Sequence, residues 1–186
     1  MGNSFNNLNQ EIRKFNDVLN TMNILIWDSR TKMPKKGANS RGSQIGSLTS
    51  VAREILLSSK MRKLIDDSDN ETHNLDKDSF ERKTLKHLNE AIEYHDKIPE
   101  KIQVRKAEIE PLAHNAWADA REKKDFSIFK PLLEEQVNIA IEQAHCIGFE
   151  DHPYDALMQR FEPGETVKSL KKLFDVLKVG LGDILK

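Results

Sequence analysis

The sequence predicts an all-α fold, a bundle of about seven or eight amphipathic helices with no sheet, and three observations carry that expectation. Apolar residues recur at spacings of three and four along nearly every segment, the period of a helix with one buried face. No stretch alternates apolar and polar residues as a half-buried strand does, and no hairpin turn signal appears. Proline, glycine and short capping residues fall between the periodic segments, where helices stop and start.

Phe5, Leu8, Ile12, Phe15, Leu19, Met22 and Ile26 form the first stripe, sustained for about six turns. Its polar side is rich in Asn, a poor helix former, so packing must hold this helix. A coiled-coil seam is the alternative use of the same stripe. Residues 27–40 are predicted to be a loop, because Pro34 and Gly37 break the period and Lys32, Lys35 and Lys36 are solvated. Ile45, Leu48, Val51, Ala52, Ile55 and Leu56 make a second helix with its cap among residues 40–43. Ser59 is predicted to cap a short third helix over Met61, Leu64 and Ile65, and residues 66–78 to be a polar, mobile connector.

Phe80, Leu85, Leu88, Ile92 and His95 supply one face of a fourth helix that ends before Pro99. Pro99 suits the start of a fifth, with Glu100 favourable in its first turn. Ile102, Ile109, Leu112, Ala113, Ala116, Trp117 and Ala120 are its buried side. Pro111 lies within that pattern, and an interior proline costs about 3 kcal/mol, so a kink or break is expected there. Asp125 and Ser127 are cap candidates for a sixth helix lined by Phe129, Leu132, Leu133, Val137, Ala140, Ile141, Ala144 and Ile147, with Gly148 in the position just past its end. Pro153 opens a seventh whose stripe is Tyr154, Leu157, Met158 and Phe161; Glu162-Pro163-Gly164 stops it. Thr166 is placed to cap an eighth over Val167, Leu170, Leu173, Phe174 and Leu177, running on to Leu181, Ile184 and Leu185 with Gly180 and Gly182 weakening it.

At 186 residues the chain is long enough for one domain with a core, and residues 1–186 are expected to form a single helical domain. Net charge is -1, from Lys+Arg 29 against Asp+Glu 30, which argues against a nucleic-acid binder driven by counterion release. No run of about 18 apolar residues is present, so no membrane partner is expected. The start, Met1-Gly2-Asn3-Ser4-Phe5-Asn6, lacks a signal peptide's regions, and Asn6 stands where a myristoylation site needs Ser or Thr. Cys146 is the lone cysteine, which excludes an intrachain disulfide and fits a reducing cytoplasm.

The residues 152–166, read with Trp117-Ala118-Asp119-Ala120-Arg121, Asp125-Phe126 and Phe129-Lys130-Pro131-Leu132-Leu133, resemble the carboxypeptidase Taq family of zinc metallocarboxypeptidases. Trp27-Asp28-Ser29-Arg30-Thr31-Lys32-Met33-Pro34 is similar to an early loop of the same family, and Arg41, Gln44 and Leu48 continue the likeness. Agreement runs from about residue 19 to the C-terminus, in family order. The resemblance implies the amino-terminal part of such an enzyme, well under half its length, with the catalytic region absent.

The chemistry of that family needs H-E-x-x-H, which faces two imidazoles at one zinc with a glutamate as base. The six histidines, His73, His87, His95, His114, His145 and His152, include none followed by Glu and no pair four apart. Glu142 and His145 form one E-x-x-H, but a di-iron bundle needs a second copy and two further glutamates. The plain expectation there is a solvated Glu beside a partly buried His, and His95 and His152 are expected in capping or turn contacts. Trp27, Asp28 and Arg30 could line a substrate groove; the favoured alternative is a Trp anchored to the core and an Asp–Arg pair or cap. Trp117 and Arg121, one turn apart, present the same choice between lining a groove and serving structure, and a Trp–Arg stack supporting the helix is the favoured use.

No catalytic, cofactor-binding or metal residue is therefore assigned, and no cofactor is expected in this chain, zinc being expected only in full-length family members. The functional expectation is a helical segment that shapes a substrate groove and is inactive alone, with peptide substrate met only through the missing catalytic part. A free-standing binding or oligomerisation module, partnered by a second copy as a homodimer, is the alternative.

Overall fold

The computed structural model describes residues 3–184, and among these there are eight α-helices and no strand. Leu185, Met1 and Gly2 lie outside the described residues. The chain divides into two compact units, residues 1–136 and 137–186.

In the first unit, α1 (Asn3–Thr31) is the long amphipathic helix its stripe requires. It packs on α2 (Ala38–Leu56) and α3 (Ser59–Thr72), so its apolar side is used within the chain and not as a coiled-coil seam. Phe5 and Leu8 of α1, Leu56 of α2, Met61 and Ile65 of α3, and Leu85, Leu88 and Ile92 of α4 (Phe80–Lys97) form one buried cluster, with Ile12 and Phe15 packed against it. Glu11 is buried beside this cluster and is held by Lys60 Nζ of α3 at 2.5 Å and Lys14 Nζ at 3.2 Å.

Several boundaries differ from the sequence expectation, each for a local reason. Residues 27–31 are helical, because nothing before Pro34 breaks the helix; it ends where Lys32 and Met33 N–H both bond back to the Asp28 carbonyl. The loop shrinks to a few residues and a 3-10 turn, Lys35–Gly37, and α2 starts directly after it, with Gly37 at the cap position and no side-chain cap. Ser58, not Ser59, caps α3 by accepting from the Met61 N–H. That helix continues to Thr72 through the expected connector. Its buried row runs Met61, Ile65, Ser68, Thr72, a helical period completed with small hydroxyl side chains where an apolar pattern was sought. Thr72 returns its hydroxyl proton to the Ser68 carbonyl at 2.7 Å.

Ser79 caps α4, and Phe80, expected in the core, is 69% exposed although its ring meets Phe5 edge-on at 6.1 Å. In α5 (Glu100–Lys123) the helix passes unbroken through a buried Pro111. Its packing is mainly with α2, at two glycines. A Cβ on Gly42 would stand 2.6 Å from the Glu108 carbonyl oxygen, and one on Gly46 would stand 2.9 Å from the Glu108 Cγ. The helix axes therefore approach as closely as only glycine permits. Val51 of α2, expected inside, is 42% exposed because Gly42, Ile45, Gly46, Ala52 and Leu56 are the buried side.

Asp125 caps a 3-10 turn, Phe126–Ile128, through the Ser127 N–H, and α6 (Lys130–Ile147) follows. Within the second unit the buried residues of α6 are Ile139, Gln143 and Ala144, while Val137 and Ile141 are 48% and 44% exposed. Gly148 has φ +90° and its N–H bonds to the Ala144 carbonyl, as a residue just past a helix end should. His152 caps α7 (Pro153–Met158) by accepting from the Tyr154 N–H at Nδ1, 3.1 Å. This helix buries Ala156 and Met158; Tyr154 and Phe161 are 56% and 80% exposed, because it ends before Phe161 and turns its other side inward.

The turn that follows is closed by Gln159, whose Oε1 accepts from the Gly164 N–H at 3.0 Å and whose Nε2 donates to the Glu165 carbonyl at 3.1 Å. Thr166 caps α8 (Val167–Ile184) by accepting from the Ser169 N–H, and Asp155 Oδ1 takes the Val167 N–H at 2.7 Å. The α8 stripe expected in a core is instead exposed at Leu173, Phe174, Leu177, Leu181 and Ile184.

Candidate functional site

The residues singled out near the start of the family-like stretch come together at the end of α1. Asp28 does not pair with Arg30. Its carboxylate meets the Arg41 guanidinium of α2 at 2.8 Å, and that guanidinium also donates to the Leu25 carbonyl at 2.6 Å and to Gln44 Oε1 at 3.0 Å. Arg41 thereby clamps the last turns of α1 onto α2. Trp27 is 59% exposed and so is not an anchor in the core; continuing the helix through it carries the ring to the outer face.

The turn after α1 is fixed to α5 from the other side. Lys35 pairs with Asp119 and, at 3.5 Å, with Glu122, and its carbonyl accepts from Asn115 Nδ2 at 3.3 Å. The Asp119 hydrogen bond raises the Lys35 ammonium above its ordinary value, and Lys35 in turn lowers Asp119. These ties hold the α1 terminus and the middle of α5 side by side.

Between them runs a shallow groove of about 290 Å³ lined by Arg30, Glu110, Ala113, His114, Trp117, Phe129 and Gln136. Beneath it, Ile26, Ser29, Ile45 and Pro111 close around a gap of only about 10 Å³, no more than one water would fill. Along α5 the His114 ring lies 5.8 Å from that of Trp117, and the Arg121 guanidinium sits 5.1 Å from the Trp117 centroid. The expected stack of Trp117 and Arg121 is present, yet Trp117 keeps 41% of its surface exposed, so one aromatic face borders the groove. Arg30 and Trp117 were visible in the sequence as candidates. His114 and Glu110 fall on the same side of α5 by spacing, but nothing in the sequence brings Phe129 and Gln136 to them.

Elsewhere the histidines serve local structure. His95 Nδ1 meets Gln103 Nε2 at 2.9 Å and its carbonyl accepts from Arg53 at 2.6 Å. His145, expected to be partly buried, is exposed and lies 5.3 Å from the Phe149 ring. Zinc does not fit these donors. Among the described residues no three His, Cys, Asp or Glu stand close enough to hold a metal ion, whereas a catalytic zinc takes three protein ligands and an open position. Among the same residues no helix is long and apolar enough to cross a membrane.

The fold recurs in known proteins. The chain is 36% identical to carboxypeptidase 1 of Bacillus subtilis over 88% of its own length, covering 32% of that protein. It is 32% identical to thermostable carboxypeptidase 1 of Pyrococcus furiosus, covering 87% of this chain and 32% of the relative. The crystal structure of BsuCP superposes with a TM-score of 0.87 at 32% identity, over 94% of this chain and 35% of that one. Trypanosoma cruzi metallocarboxypeptidase 1 superposes with a TM-score of 0.72 at 29% identity, over 98% of this chain and 36% of that one. The chain thus spans about a third of the length of the curated relatives it matches. The model of the carboxypeptidase Taq (M32) metallopeptidase family matches residues 7–186, beginning earlier than the resemblance at residue 19, and the chain belongs to that family.

Proposed function

We propose that this chain acts as the amino-terminal helical part of a carboxypeptidase Taq-type enzyme, framing the groove by which the C-terminal end of a peptide reaches the metal, and that it releases no residues by itself. The observation that carries this reading is the pairing of a strong family match with a missing donor set. The chain accounts for 32% of its Bacillus subtilis relative, and its six histidines contain no H-E-x-x-H. Without three ligands there is no site at which zinc could bring a bound water to a pKa of about 7. What this chain supplies is position: α1, α2 and α5 locked together by Arg41, Lys35 and the two glycines form a rigid wall. The lone Cys146 suits a reducing cytoplasm as the place where it works.

The direct test is release of C-terminal residues from blocked dipeptides by the purified chain in zinc or cobalt, with and without a chelator. No release above background is expected. Metal-dependent release that a chelator abolishes would overturn the reading.

A second reading, a self-associating helical module with a second copy as partner, is favoured by one observation. Leu173, Phe174, Leu177, Leu181 and Ile184 of α8 share one exposed side, and contiguous apolar surface of that kind marks an interaction face.

A further inference from the structure

The groove beside Trp117 holds hydrogen-bonding groups of both signs that no other described residue satisfies. Arg30, Glu110 and Gln136 all line it, and their side chains make no hydrogen bond or ion pair with any other described residue. Arg30 and Glu110 lie along the same groove without pairing to each other, so each is open to a ligand. A guanidinium presents a planar fork that fits a carboxylate through two parallel bonds. A carboxylate accepts equally well from an ammonium. In the same groove the partly exposed ring of Trp117 and the ring of Phe129 offer an apolar wall, which suits an aromatic or large aliphatic side chain. The volume of about 290 Å³ lies at the small end of ligand pockets, about 300 Å³, the size for one amino acid rather than a longer peptide.

We propose that this groove binds a free α-amino acid with a large apolar side chain, its carboxylate on Arg30, its ammonium on Glu110 and its side chain against Trp117 and Phe129. The binding needs no metal and no catalytic residue, so it stands or falls apart from the peptidase reading.

Trp27 and Trp117 are the two tryptophans of the chain, so Trp27→Phe leaves Trp117 as a reporter inside the groove. In that parent, L-phenylalanine should change Trp117 emission saturably in the millimolar range. N-acetyl-L-phenylalanine lacks the ammonium and L-phenylalaninamide lacks the carboxylate, and each should bind at least about 10-fold more weakly, as a lost charge-assisted bond requires. Arg30→Gln and Glu110→Gln, both at exposed positions, should weaken phenylalanine to the same degree with unchanged circular dichroism. Equilibrium dialysis with labelled phenylalanine repeats the measurement without relying on fluorescence. The proposal is overturned if neither method detects saturable binding up to roughly 10 mM, or if the two derivatives or the two variants bind as the parent pair does.

Discussion

At the level of single residues, Glu11 shows how a charge inside an apolar seam is tolerated. Glu11 is buried, and hydrogen bonds from Lys60 and Lys14 lower its carboxyl pKa from the ordinary 4.5, with Lys60 the larger cause and burial opposing. A carboxyl group depressed in the folded state contributes stability that is fully present above its unfolded value and is lost as pH falls through the folded one. Urea unfolding of the chain should therefore lose stability below about pH 4.5, and Glu11→Gln should flatten that loss. Both lysines are mostly exposed, so water screens the pair and Glu11→Gln should cost only about 1 kcal/mol at neutral pH. A variant with an unchanged acid limb would show that Glu11 is not the group titrating. Glu11 was not among the residues read as buried in α1, although it stands three from Leu8 and four from Phe15, since a residue type cannot reveal that a facing lysine will let it be buried. In the same way Asp28 was expected to find Arg30 nearby, whereas it reaches Arg41 across two helices, a partner that only the α1–α2 crossing supplies.

Helices as units were legible where their buried row is apolar and illegible where it is made of small or polar residues. The stripes of α1, α4 and α5 gave those helices directly, and Pro99, Gly148, Pro153 and Gly164 fall where their backbone preferences place them. The second half of α3 was hidden because Ser68 and Thr72 continue its row. The face of α2 was read correctly at Ile45, Ala52 and Leu56 but not at Val51, and its glycine part, Gly42 and Gly46, was missed because a glycine leaves no hydrophobic trace. The two glycines are expected to differ when given a methyl group. At Gly42 the obstacle is the Glu108 backbone oxygen, 2.6 Å from the new carbon, which can yield only if the helices separate, so Gly42→Ala should destabilise by about 2 kcal/mol. At Gly46 the nearest atoms belong to the Glu108 side chain, which lies at an exposed position and can rotate away. There the helix preference of alanine, worth about 1 kcal/mol over glycine, offsets much of the clash, and Gly46→Ala should stay within about 1 kcal/mol of the parent. Urea midpoints followed by circular dichroism compare the two; equal losses would mean that the α2–α5 approach is looser than these distances imply.

Over the whole molecule, the absence of H-E-x-x-H is a property of the letters alone, while the state of α8 could not be read from them. Periodicity shows that a helix has an apolar side, and says nothing of whether this chain covers it. Here that side is left open: Phe174 is 57% exposed and Ile184 79%, with Leu173, Leu177 and Leu181 between. Apolar surface of this extent in water favours association, because each Å² removed from solvent contributes about 25 cal/mol. The purified chain should bind a hydrophobic dye and grow in apparent mass with concentration in light scattering. Lys168, Lys171, Lys172 and Lys178 on the rest of the helix keep it soluble while this happens. Phe174→Glu combined with Leu177→Glu interrupts the apolar side at its middle, where both side chains are already in water, so helix content should hold while dye binding and mass growth fall. If the parent stays monomeric and binds no dye at any concentration, the apolar side of α8 is covered within the chain itself, and the self-associating module is excluded, whereas the role as the wall of a larger peptidase survives.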